Sequence, residues 1–136
     1  MARFSDKVVL ITGALGGIGA ATVQWIAKGG ARLALTDINR TAADVPAAIT
    51  EGAAETAFWP ADLSQQAEVD ALFASVMAHY GRIDVLINHA SVEPHASLLD
   101  MDEWDWHRAL DVNLTGAFLT MQSVGRVMRN RGGGVI

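Results

Sequence analysis

Short apolar or β-branched runs alternate along the chain with stretches of helical periodicity: residues 7–12 then 17–28, 32–36 then about 44–51, 55–59 then 64–80, and 83–88 then about 102–129. Strands and helices alternating with such short connections predict a parallel sheet covered by helices on both faces, because each crossover must return the chain to the same end of the sheet. The third helical stretch is the clearest, with Val69, Leu72, Phe73, Val76, Met77 and Tyr80 on one stripe. Ser64 is its expected N-cap and Gly81 its C-terminal stop. In the second stretch, Asp44 as cap places Pro46 in the first turn of a short helix. The last stretch spreads Leu110, Val112, Leu114, Phe118, Leu119, Met121, Val124 and Met128 over more than one face, which predicts a helix buried on two sides, by the sheet and by a partner. Gly132 to Gly134 then read as a turn, and Val135 with Ile136 as the start of another buried strand. Residues 1–136 are therefore expected to form one α/β domain that belongs to a larger unit. Ending there would leave an unpaired strand edge and an uncovered helix face, for which weak stability or self-association is expected.

Composition narrows the partners. With 136 residues, 51% hydrophobic and 18% charged, the chain carries enough apolar surface for one globular core. A formal charge of −5 argues against nucleic acid or an anionic membrane surface as the main partner, since both require concentrated Lys and Arg. The absence of cysteine excludes disulfides, thiol catalysis and cysteine-ligated metal. No apolar run approaches the ~20 residues of a membrane span. No secretory pattern opens the chain, so a cytoplasmic protein is expected. Small molecules and other proteins remain.

The strongest chemical signal is Thr12-Gly13-Ala14-Leu15-Gly16-Gly17-Ile18-Gly19, directly after the first strand and at the start of the first helix. Glycines there let the chain turn sharply and bring backbone close to a pyrophosphate, which the free N–H groups of the helix N-terminus attract. Asp37 ends the second strand 18 residues past Gly19, near the ~20 expected of an acid that binds an adenosine ribose. Its carboxylate accepts from both ribose hydroxyls and repels a 2′-phosphate, which favours NAD over NADP; Arg40, if folded back, would favour NADP. His79, His89, His95 and His107 fit no zinc spacing, and no metal site is expected even where Glu93, His95 and His89 lie close in sequence. Trp104 and Trp106, set among acidic residues, read as packing or interface residues rather than a nucleic-acid stacking platform.

These residues resemble the short-chain dehydrogenase/reductase family over essentially the whole chain, from Lys7 to Ile136. The family's Thr-Gly-x-x-x-Gly-x-Gly is matched by Thr12 to Gly19. Asp62-Leu63 looks like its adenine-contacting pair, Asn88-His89-Ala90-Ser91 is similar to its Asn-Asn-Ala-Gly, and Asn113 matches the helix asparagine of its catalytic group. The resemblance implies a Rossmann-type, doubly wound parallel sheet of strand order 3-2-1-4 with the start of strand five. It also implies a dinucleotide held by Gly13, Leu15, Gly17, Ile18, Gly19, Asp37, Ile38, Asp62, Leu63, Asn88 and Ala90. His89 and Ser91 depart from the pattern beside the nicotinamide. The family's helix packs at a subunit interface, so a homo-oligomer is expected.

The family's catalytic serine and Tyr-x-x-x-Lys fall after the strand that begins at Gly134. Here the single tyrosine is Tyr80 and both lysines, Lys7 and Lys28, precede it, so no Tyr-x-x-x-Lys exists in this sequence. A tyrosine of ordinary pKa, about 10, needs a nearby cation to exchange protons near neutrality, and Tyr80, on a packing stripe, is expected to be structural. Asn113 alone orders water or a helix kink, so this chain by itself is expected to be inactive. The favoured reading is the cofactor-binding portion of an NAD(H)-dependent enzyme acting on a small-molecule alcohol or carbonyl. The alternatives are a non-catalytic dinucleotide-binding or interaction module, and an S-adenosylmethionine-dependent methyltransferase, which the Thr12–Gly19 spacing disfavours.

Overall fold

Every residue of β1 (Val8–Thr12) is buried, because the strand is flanked by parallel neighbours and covered on both faces. In the computed structural model, which describes residues 3–136, β2 (Arg32–Thr36) pairs with β1 from Val8 opposite Arg32 to Thr12 opposite Thr36. On the other side β4 (Val85–Asn88) pairs from Val9 opposite Val85 to Thr12 opposite Asn88. With β3 (Glu55–Phe58) outside β2, the parallel order is β3-β2-β1-β4, the doubly wound arrangement that the alternation predicts. Val135 lies beyond β4 in parallel: its carbonyl accepts from the Leu86 N–H at 2.9 Å and its N–H donates to Asp84 O at 3.1 Å. That is the expected start of strand five.

Alternation along β1 divides the core. Val8 and Leu10 join residues of α3 (Gln66–Tyr80) and α5 (Ala117–Asn130) on one face, whereas Val9 and Ile11 pack with Val23, Ile26 and Ala27 of α1 (Gly17–Ala27) on the other. Asp84 stitches the sheet where β1 and β4 begin, accepting the Val8 N–H at 2.8 Å on Oδ2 and the Arg82 guanidinium on Oδ1. Burial alone would raise the Asp84 pKa. The bonds from Arg82 and Val8 and the charges of Arg82 and Lys7 together outweigh burial, and its pKa lies below the ordinary value.

Val69, Leu72, Phe73, Val76 and Tyr80 form the buried stripe of α3, with Met77 partly buried, and Gly81 ends the helix in the left-handed region at φ 68°. Ser64 does not cap it. Its N–H and hydroxyl both donate to Asp62 Oδ1, at 3.0 and 2.7 Å, so the helix starts at Gln66 with Gln65 in the cap position. Tyr80 is structural: its hydroxyl donates to Leu33 O at 2.8 Å in the core. Burial, reinforced by the Glu55 charge, pushes its pKa from 10.0 to about 12. A raised folded-state pKa contributes stability that is complete below pH 10 and lost as pH rises through about 12. Chemical denaturation of wild type is therefore expected to weaken across that window more than that of Tyr80→Phe, which removes the titrating group.

Two helical expectations are corrected. Residues 44–51 are not one helix capped by Asp44. A 3₁₀ turn, Ala42–Asp44, is closed by the Asp44 carboxylate accepting from the Thr41 N–H and hydroxyl, and Pro46 occupies the N-cap of a one-turn α2 (Ala47–Thr50). The long last helix is interrupted. Asp102 caps α4 (Glu103–Leu110) by accepting the Asp105 N–H at 2.8 Å, a π-helical turn spans Asp111–Gly116, and α5 follows. Leu119, Thr120, Val124 and Met128 of α5 are buried, whereas Leu110, Leu114, Phe118 and Met121 lie exposed along the opposite face. Within these residues the helix is covered on one side and its other apolar face is open, as the pattern leads one to expect of this segment taken alone.

Candidate functional site

Between β1 and α1 the glycines do different work. Gly13 has φ +63°, and a Cβ there would lie 2.8 Å from Ala90 Cα; a Cβ on Gly19 would lie 1.9 Å from Gly13 O. Both positions are fixed by close approach of backbone to backbone. A Cβ on Gly17 would meet nothing within 4 Å, so the space there opens outward at the first turn of α1. That turn has no side-chain cap and no acidic residue, which leaves its N–H groups and partial positive charge available to an anion.

Thr12 ties this loop to the segment after β4. Its Oγ1 accepts from the N–H of His89 at 3.0 Å and of Ala90 at 3.1 Å, while the hydroxyl reaches Ile87 O at 3.4 Å. Thr12→Val is expected to reduce stability by roughly 2 kcal/mol through two orphaned N–H groups, with Thr12→Ser largely restoring it. Urea denaturation midpoints of the three proteins check this.

Asp37 stands partly exposed at the end of β2. Its Oδ2 accepts the Leu15 N–H and its Oδ1 the Ile38 N–H, both at 2.8 Å. The carboxylate therefore holds the glycine loop, and each oxygen keeps a second lone pair for a ligand hydroxyl. Gly13, Asp37, Ile38, Asp62, Leu63 and Ala90 all line one cleft of about 340 Å³. Thr36, fully buried at its wall, has an Oγ1 with no hydrogen-bond partner. Open space at Gly17, a carboxylate at the cleft and an orphaned hydroxyl beside it fit a dinucleotide.

The other sequence-derived site residues, Leu15, Gly17, Ile18, Gly19, Asn88 and Asn113, are not among those that line this cleft. Gly17 and the 72% exposed Ile18 lie at the open start of α1, with Leu15 bound to Asp37. Asn88 turns toward α5, where its Oδ1 accepts the Thr120 hydroxyl at 2.8 Å. Asn113, in the π-helical turn, clasps Val92: its Oδ1 accepts the Val92 N–H and its Nδ2 donates to Val92 O, both at 2.8 Å. These two hydrogen bonds to a loop backbone anchor the turn against the β4 loop, beside the cleft that Val92 lines. Gly116 allows the same segment to approach Leu63, whose carbonyl would lie 3.1 Å from a Cβ there.

Sequence reasoning missed one wall. Trp104, His107, Arg108, Asp111 and Val112 line the cleft from α4 and the π-helical turn. Trp104 and Trp106 are 66% and 50% exposed, so neither packs in the core. The Trp104 indole instead carries the Arg108 guanidinium, whose Cζ is 5.3 Å from the ring centroid. The helical period of α4 alone does not show which residues its neighbours will face. Tyr80 is not among the cleft residues. Among the described residues, no group of three or more His, Asp or Glu side chains is placed to hold a metal, and no helix is long and apolar enough to cross a membrane.

The family model described as short chain dehydrogenase matches residues 7–136. The chain is 41% identical over 136 residues to D-threitol dehydrogenase of Mycolicibacterium smegmatis, covering 98% of this chain and 52% of that protein. It is 34% identical over 134 residues to the NAD-dependent glycerol dehydrogenase of Listeria innocua, with 98% and 52% coverage. The crystal structure of NAD+-bound xylitol dehydrogenase superposes with a TM-score of 0.90 at 34% identity, covering 98% of this chain and 52% of that one. The chain spans about half the length of the curated relatives it matches.

Proposed function

We propose that this chain, which belongs to the short-chain dehydrogenase/reductase family, is the cofactor-binding portion of an NAD(H)-dependent oxidoreductase that interconverts a small alcohol and its carbonyl. The observation that carries this reading is the pairing of an open, uncapped helix start at Gly17 with the Asp37 carboxylate on the cleft. When bound, the nicotinamide ring supplies hydride exchange with the substrate carbon. Gly13, Leu15, Gly17, Ile18 and Gly19 are the proposed pyrophosphate-side residues. Asp37 and Ile38 are placed at the ribose, Asp62 and Leu63 at the adenine, and Asn88 and Ala90 at the nicotinamide side. Asp37 favours NAD over NADP by accepting ribose hydroxyls and repelling a 2′-phosphate. Arg40, exposed at the surface, is not among the cleft residues.

Asn113 is proposed to serve the catalytic group by fixing the Val92 backbone on the cleft wall. Proton exchange with the substrate oxygen is assigned to residues outside these 136, since Tyr80 is bound to Leu33 O in the core. The names of the relatives, dehydrogenases of threitol, glycerol and xylitol, point to a small polyol or related alcohol as substrate. A cytoplasmic homo-oligomer completes the proposal.

The test pairs two assays: NADH binding by this chain, and NAD+ reduction with a panel of small polyols by the full product of the gene. Binding by the first and turnover by the second are expected. Binding without turnover by any full product would favour a non-catalytic dinucleotide-binding module.

A further inference from the structure

The cleft is lined by three carboxylates, Asp37, Asp62 and Asp111, and by one permanently charged cation, Arg108. Arg108 is exposed, yet among the described residues it pairs with no carboxylate. Its guanidinium lies over the Trp104 ring, one helical turn earlier on α4, at 5.3 Å from the centroid. A guanidinium held beside an indole keeps its capacity to stack on a second π-system. Asp37 and Ile38, which follow β2, and Asp62 and Leu63, which follow β3, lie on the same cleft as this pair. A ribose at Asp37 would set its base in that region. A polyanionic ligand in a cleft with three carboxylates also gains from the one cation present.

Building on the cofactor reading above, we propose that Arg108 stacks on the purine of the bound dinucleotide and that Trp104 positions it, so that α4 forms a third wall of the adenosine site. Arg108 then touches the cofactor directly, and Trp104 acts through it. The adenosine half of the ligand feels this wall and the nicotinamide half does not.

Calorimetric titration with ADP-ribose, 2′-phospho-ADP-ribose and nicotinamide mononucleotide tests this on wild type, Arg108→Ala, Arg108→Gln, Trp104→Ala and Trp104→Phe. Loss of ADP-ribose affinity by about three- to tenfold is expected in both Arg108 variants and in Trp104→Ala. Trp104→Phe should recover most of it, with nicotinamide mononucleotide binding equal throughout. Both side chains are exposed, so thermal melts should match wild type. Unchanged ADP-ribose affinity in the Arg108 variants overturns the proposal, as does an equal loss for both half-ligands. A loss confined to 2′-phospho-ADP-ribose also overturns it, in favour of a phosphate contact. If wild type binds no ADP-ribose, the cofactor reading itself falls, and this inference with it.

Discussion

Gly19→Ala is expected to destabilise the protein by roughly 3 kcal/mol or more, with loss of NADH binding. The added Cβ would lie 1.9 Å from Gly13 O and 3.0 Å from His89 Cδ2. A carbonyl oxygen is backbone and cannot rotate away as a side chain can. Relief requires moving either the glycine loop or the first turn of α1, and the loop is already held by Thr12 and Asp37. Gly17→Ala is the informative partner, because its Cβ meets nothing within 4 Å. There the helix gains up to about 1 kcal/mol from lower unfolded-state entropy, while the methyl fills the space a pyrophosphate would use. Urea denaturation should separate the two variants, and NADH binding should be lost in Gly19→Ala and weakened in Gly17→Ala. A Gly19→Ala protein as stable as wild type would refute the loop geometry.

Asp37→Ala carries the second large effect: a loss of NADH affinity of about tenfold or more, from two charge-assisted hydrogen bonds to the ribose. It also frees the Leu15 N–H that Oδ2 now accepts, so loop order and ligand contact fail together. Asp37→Asn separates them. The amide oxygen still serves Leu15, the amide nitrogen gives up only the exposed bond from the Ile38 N–H, the negative charge is gone, and repulsion of a 2′-phosphate goes with it. The ratio of NADH to NADPH affinity should therefore fall in Asp37→Asn even where the melt is unchanged. An unaltered ratio would remove Asp37 from cofactor selection.

Much of this was legible in the sequence because it depends on local pattern. Five apolar or β-branched residues followed by Gly13 read as a buried strand running into a tight turn, and Asp37 is found by counting from Gly19. Elements set by tertiary contact were not legible. The π-helical turn is anchored by the clasp of Asn113 on Val92, 21 residues away, and periodicity carries no mark of it. Ser64 resembles a helix cap because serine is a favoured residue there, but Asp62, two residues earlier, takes its hydroxyl. Trp104 and Arg108 are visible as residues, yet their place on the cleft depends on how the loop after β4 delivers α4.

The most direct test of the central claim is calorimetric titration of the purified protein with NADH and then NADPH. Saturable NADH binding, tighter than NADPH and weakened about tenfold or more in Asp37→Ala, is the predicted result. Absence of NADH binding by a folded protein, or tighter binding of NADPH, would contradict it.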